Sequence, residues 1–438
     1  MRLGGSLVLP KIAVEIDQHD GVTPAPTPDE DAMTAPTAGT EGGDTAAAFE
    51  ALDQSLVVSG PNAAIDGLIA WLDARGDART LLDALLLKAR HDLGLPLVQV
   101  GSLVEIPEPA RTAYEDRYIE AIRRVGRKMI DAGDLVAAWP YYRAIGEKEP
   151  IARAIDAYDP GDREPGDERL GQVVDIAFNQ GVHPRRGFDL ILDHYGACSA
   201  ITAFEHLPPD DATRLACADR LVRHIHDHLV ANLRSEITRR GQPQPPDGAT
   251  IADLIAGREW LFVDDAYHLD ISHLSAVVRL SPMLVDPATI ALAVGLTDYG
   301  RNLSDRHRYD GEPPFDNLYD DHATYLRGLL GDDPDAAVAH FLAKLPAAPT
   351  DPTDESTFDD PVPAQVLVRL LVRLNRLDEA IDVASEHLAG YPESMLGCPG
   401  VAQLCQMAGR PDRLSKIARE QGDIVHYAAA VLQSFCSR

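Results

Sequence analysis

The stretch that decides the fold is Gly133-Asp-Leu-Val-Ala-Ala138-Trp-Pro-Tyr-Tyr142-Arg-Ala-Ile-Gly-Glu-Lys-Glu-Pro150. A turn residue is followed by a small residue five positions on, a large aromatic nine on and a proline seventeen on. The same offsets recur from Asp332 (Ala337, Phe341, Pro349) and from Asn375 (Ala380, Ala384, Pro392). From Gly409, 34 residues after Asn375, two apolar positions return as Leu414 and Ala418. The spacing has a physical reading. Two helices that cross closely need a small side chain where their axes approach, here Ala138, Ala337 and Ala380. A residue tolerant of left-handed φ joins them, a role read for Gly133, Asp332, Asn375 and Gly409. Tyr142 and Phe341 fill the groove toward the next pair, and a proline stops the second helix.

Outward from this motif the chain reads as helical almost throughout. Leu68, Ile69 and Leu72, then Leu81, Leu82, Leu85 and Leu86, form helix-spaced stripes around Gly76-Asp77. A stripe from Ile119 to Ile130 ends at Gly133. The spacing predicts helices over 151–158, 170–180, 184–195, 197–206, a long one over 210–240, and others near 249–263, 270–281 and 286–303. Further helices are expected over 318–330, 334–345, 363–374, 377–389, 398–408, 411–420 and 423–436. Only Leu97–Val104 has β-like character, and a loop or helix start competes there. The expected class is all-α.

Four segments are expected: a disordered Pro/Thr/Ala-rich acidic tail over 1–46, with order starting near Phe49; an N-terminal helical-repeat region over 47–168; an irregular, His-rich middle over 169–317; and C-terminal helical repeats over 318–438, interrupted by a Pro/Asp-rich linker over 346–361.

The repeat resembles the tetratricopeptide repeat family. The resemblance covers about 117–150, 318–349, 360–392 and 393–426, with a weaker match around Gly76. Pro140 falls inside a second helix, the final segment lacks its proline, and the middle third does not hold the period. The resemblance implies a right-handed superhelix (an α-solenoid) whose concave face binds peptides or partner proteins, without catalysis. Tyr141, Arg143, Arg369 and Arg373 are candidate contacts, because helix faces opposite the apolar stripe look outward.

Composition bounds the partners. The 69 acidic and 40 basic residues give a formal charge of −29, which repels nucleic acid and anionic lipid surfaces. No apolar run approaches the roughly 20 residues of a membrane span. Five scattered cysteines do not form a disulfide framework, so buried thiols in a reducing cytoplasm are expected. The basic residues are mostly arginine, which fits a GC-rich bacterial coding bias. No phosphate loop, nucleophile elbow, His-Glu-x-x-His or Cys-x-x-Cys motif is present.

Eleven of the 15 histidines lie between His183 and His340. His224 and His228 stand one helical turn apart, a spacing that suits two zinc ligands or a solvated histidine-rich face. His268, Asp270 and His273 pack three potential ligands into six residues, and His322 lies beside the Asp320-Asp321 pair. These four define an alternative to the scaffold, a zinc, iron or manganese enzyme sited in the middle third. Against it, Asp270 also reads as a helix N-cap, and the aspartate pair as charges complementing a helix dipole.

Overall fold

The computed structural model describes residues 41–98, 106–161, 166–346, 360–389 and 391–436. Among these every regular element is helical, and the one β-type contact is an isolated bridge between Asp310 and Asn317. The chain separates into two compact units, one ending at Tyr114 and one beginning at Glu115.

The first unit contains α1 (Glu41–Ser59), α2 (Pro61–Arg75) and α3 (Ala78–Asp92), each packed on the next. Helix begins at Glu41, ahead of Phe49. Gly76 (φ 77°) closes α2, and Asp77 caps α3 by accepting the Thr80 N–H at 3.1 Å. Of the stripe expected around that turn, Ile69, Leu72 and Leu81 are buried, joined by Ile65, while Leu68, Leu82, Leu85 and Leu86 are half-buried. The β-like stretch lies mostly outside the described residues.

Helix α4 (Ala110–Asp131) spans the boundary and is followed by the turn at Gly133. The second unit continues with α5 (Leu135–Ala144), α6 (Glu149–Asp156) and α7 (Glu168–Val174). Helix α5 runs through Pro140, and α7 passes into a π turn over Asp175–Asn179. Then come α8 (Pro184–Glu205), α9 (Asp211–Arg239), α10 (Ile251–Ile255), α11 (Ile271–Leu280) and α12 (Pro287–Arg301). Helix α8 breaks at Gly196 (φ 81°), as two expected helices required. The helix expected near 249–263 is instead the short α10 and a 3₁₀ segment over Glu259–Asp265.

Helix α9 is the hub of this region. Cys217, Leu221, Ile225, Leu229, Leu233 and Ile237 recur every four residues along it and are fully buried. Helices α8, α11 and α12 pack against it.

Beyond it follow α13 (Leu318–Leu330), α14 (Pro334–Leu342), α15 (Val362–Arg373), α16 (Leu377–His387), α17 (Val401–Met407), α18 (Pro411–Glu420) and α19 (Ile424–Cys436). Each of these packs on its successor. Most of the linker lies outside the described residues.

One turn type joins many of these helices. Gly133, Gly331, Asn375, Gly409 and Gly422 all have left-handed φ, between 58° and 89°. The next N–H bonds back five residues in each turn: Asp134 to Met129 O, Asp332 to Arg327 O, Arg376 to Leu371 O, Arg410 to Cys405 O and Asp423 to Ala418 O, at 2.8 to 2.9 Å. This is the Schellman C-cap. Asp332 is therefore not the left-handed residue of its turn. Gly331 takes that role, and Asp333, also left-handed (φ 54°), adds one residue before α14. Small side chains sit at the crossings: Ala138, Ala337 and Ala380 are buried, and a Cβ on Gly328 would lie 2.6 Å from that of Ala337. Tyr142 and Phe341 are buried as expected.

Candidate functional site

Three of the four metal-candidate residues, Asp270, His268 and His322, have another occupation. Asp270 caps α11, accepting the N–H groups of Ser272 at 2.8 Å and His273 at 3.4 Å. The Ser272 hydroxyl, which donates to Asp270 at 2.6 Å, leads these bonds in holding its carboxyl below the usual range. His268 contacts the Tyr299 hydroxyl through its backbone N–H (2.7 Å) and Nδ1 (3.2 Å), and burial lowers its pKa. His322 is fully buried, with Nδ1 2.6 Å from Leu318 O and its ring stacked on Phe315 at 4.0 Å. Burial pushes its pKa down to about 4, so the ring is neutral. Among the described residues no group of three or more His, Cys, Asp or Glu side chains is placed to hold a metal ion. His224 and His228 lie with ring centroids 6.5 Å apart, edge to face.

Asp321 has a structural occupation as well. It is buried, and its carboxylate meets His340 Nε2 (2.7 Å), Lys344 Nζ (2.7 Å) and the Asn317 N–H (2.8 Å). With its oxygens taken up, it clamps α14 to the start of α13 rather than serving as a base.

The four candidate contact residues divide. Arg143 and Arg369 are exposed and Tyr141 is half-buried. Arg373 is turned inward: its guanidinium donates to Pro282 O at 2.7 Å and to Leu284 O, pinning the turn after α11. Its acceptors lie about 90 residues away in sequence, so helical periodicity could not reveal them. Of the four described cysteines, Cys217 and Cys405 are buried, whereas Cys198 is exposed.

Two open grooves offer room for a ligand. In the first unit, one of about 390 Å³ runs between α2 and α3, lined by Leu68, Leu72, Leu87, Arg90 and Tyr114. In the second, a groove of about 180 Å³ lies among α16, α17, α18 and the start of α19. Its floor is Leu388, Leu396, Val401, Leu414 and Ile417, and its rim carries Tyr391, Glu393, Asp423 and His426.

The chain builds this second groove locally. Gln365 accepts the Gly397 N–H at 2.7 Å, holding the turn after Pro392 against α15. Gly400 lets α17 start close to Glu393, since a Cβ there would meet Glu393 Oε1 at 2.7 Å. Asp423 caps α19 through the Val425 and His426 N–H groups and meets His426 Nδ1 at 2.5 Å. The His426 bond, with those N–H groups, lowers its carboxyl, so the rim is anionic. A space of this size is below the roughly 300–1,000 Å³ of small-molecule sites and suits one side chain of a longer ligand. None of Tyr141, Arg143, Arg369 or Arg373 lines it. The sequence signal for it was the Pro392 break and the Gly397-Cys-Pro-Gly400 run, which place a loop beside the last helix pairs.

No helix among the described residues is long and apolar enough to cross a membrane. No family model matches the chain, and no curated protein matches it.

Proposed function

We propose that the chain is a non-catalytic scaffold of tetratricopeptide-like helix pairs that binds a partner peptide or protein. The observation that supports this reading is the shared Schellman turn, repeated within successive helix pairs, with the small residues Gly328 and Ala337 at one crossing. Such pairs leave grooves between neighbours, and stacked pairs of this kind form extended binding surfaces. The groove among α16–α19 is the preferred site. Its apolar floor takes a large aliphatic or aromatic side chain, and Glu393 and Asp423 on the rim favour lysine or arginine beside it. The reading requires no cofactor and no nucleic acid.

Selection of binders from a random peptide library on the full chain tests it. The expected consensus is one large apolar residue flanked by basic ones. Val401→Glu and Glu393→Lys should each weaken binding at least about tenfold, since each 1.4 kcal/mol is a factor of ten, and the surface change Glu393→Lys should leave thermal melting unchanged. No saturable binder, or binders indifferent to both changes, would overturn the assignment.

A further inference from the structure

Helix α19 turns a continuous apolar face outward. Ile424, Val425, Leu432 and Phe435 are each about two-thirds or more exposed, and Ala428 and Ala429 are exposed between them. At 100° per residue these positions cover an arc of about 140°, while Ala430 on the opposite side is buried against the protein. Val425, Ala428, Leu432 and Phe435 follow a three-four-three spacing, that of a coiled-coil seam.

The seam is self-complementary. When two such helices run antiparallel about the level of Ala430, Val425 of each meets Phe435 of the other, and Ala428 meets Leu432. Small side chains then face large ones in the central layers, which is what interdigitated packing requires. Charge points the same way. The helix from Ile424 to Cys436 holds no Asp, Glu, Lys or Arg, and residues 410–438 hold five basic against three acidic residues in a chain of net −29. Two copies meeting here avoid the carboxylate repulsion that contact over the acidic remainder imposes. A foreign partner would find no charge on this face to select it.

We propose that α19 is a self-association seam through which two copies of this chain pair antiparallel. A 13-residue helix offers a seam about 20 Å long, far short of the 20–30 residues a side of stable interfaces, so the dimer is reversible, with a Kd on the order of 10 μM.

Sedimentation velocity of the full chain from about 1 to 200 μM, bracketing that Kd, tests this. A monomer–dimer equilibrium is expected, weakened at least about tenfold in Leu432→Glu with unchanged melting. That face touches no core, so the variant folds. In a background with Cys198 and Cys436 changed to Ser, a mixture of A428C and L432C proteins should form a disulfide-linked dimer, and A428C alone should not. Association indifferent to Leu432→Glu, a ladder of higher oligomers, or A428C linking to itself would overturn the pairing. A monomer at every concentration would overturn it too. Slow alkylation of L432C would then show another stretch of the chain covering the face, and fast alkylation would leave it to a different protein.

Discussion

The middle of the second unit and its carboxy-terminal part are both helical, yet they are held together differently. In the middle, α9 gathers α8, α11 and α12 around six buried side chains spaced four apart. Polar bridges reinforce it: Arg223 of α9 reaches Asp286 at 2.7 Å, and Asn232 donates to His268 O at 2.8 Å. Helix α13 still meets α11, α12, α14 and α15, but after it the helices are arranged as a succession. Each helix rests on the next, and the same turn recurs. A hub concentrates stability in one element, whereas a succession spreads it over neighbouring pairs.

The sharpest way to expose the difference is to open the hub. Leu229→Ala removes a fully buried side chain from α9. It should cost about 3–4 kcal/mol. Chemical denaturation followed by α9-located probes should show the whole middle region shifting in one transition.

His322, on α13, gives a pH handle. Its folded pKa of about 4 lies below the ordinary value near 6.5, so the folded state binds fewer protons than the unfolded one. Its contribution is therefore complete above pH 6.5 and lost as pH falls. The expected loss is about 2 kcal/mol by pH 5 and about 3 kcal/mol by pH 4. Denaturation midpoints measured from pH 7 to 5 should fall more steeply in the parent chain than in His322→Leu. Equal slopes would contradict the burial argument.

Gly328 tests the crossings of the succession. Gly→Ala inside a helix ordinarily gains about 1 kcal/mol. Here the added Cβ would stand 2.6 Å from Ala337, so the sign should reverse and Gly328→Ala should destabilise by about 1 kcal/mol. A stabilised variant would show that α13 and α14 do not approach closely. The smallest effect belongs to Asn375. With φ 58° it already tolerates the left-handed turn, and Asn375→Gly should raise stability by only a few tenths of a kcal/mol.

These contrasts mirror what could be read from the residues alone. Helix starts were legible, because Asp134, Asp210, Asp270, Asp286 and Asn317 each cap the helix that follows by accepting a backbone N–H. The recurring Gly or Asn before α5, α16 and α18 marked left-handed turns for the same local reason. At α13–α14 the local reading slipped by one, because a second left-handed residue, Asp333, lengthens the turn. The π turn after Val174 left no mark in the apolar spacing; α8 packs so closely beside it that a Cβ on Gly187 would meet the Phe178 backbone at 2.8 Å. The site was less legible than the fold. Histidines and aspartates close in sequence separate into caps, stacks and clamps, and Arg373 answers to carbonyls in another helix pair. The groove draws its floor and rim from several elements, so no single stretch announces it.

Native-state hydrogen exchange of the full chain, resolved by helix, tests the succession most directly. The account predicts graded protection from α19 inward to α13, each pair opening at its own free energy, and one shared, higher opening energy across α8, α9, α11 and α12. A single common opening energy for α9 and α13–α19 alike would contradict it.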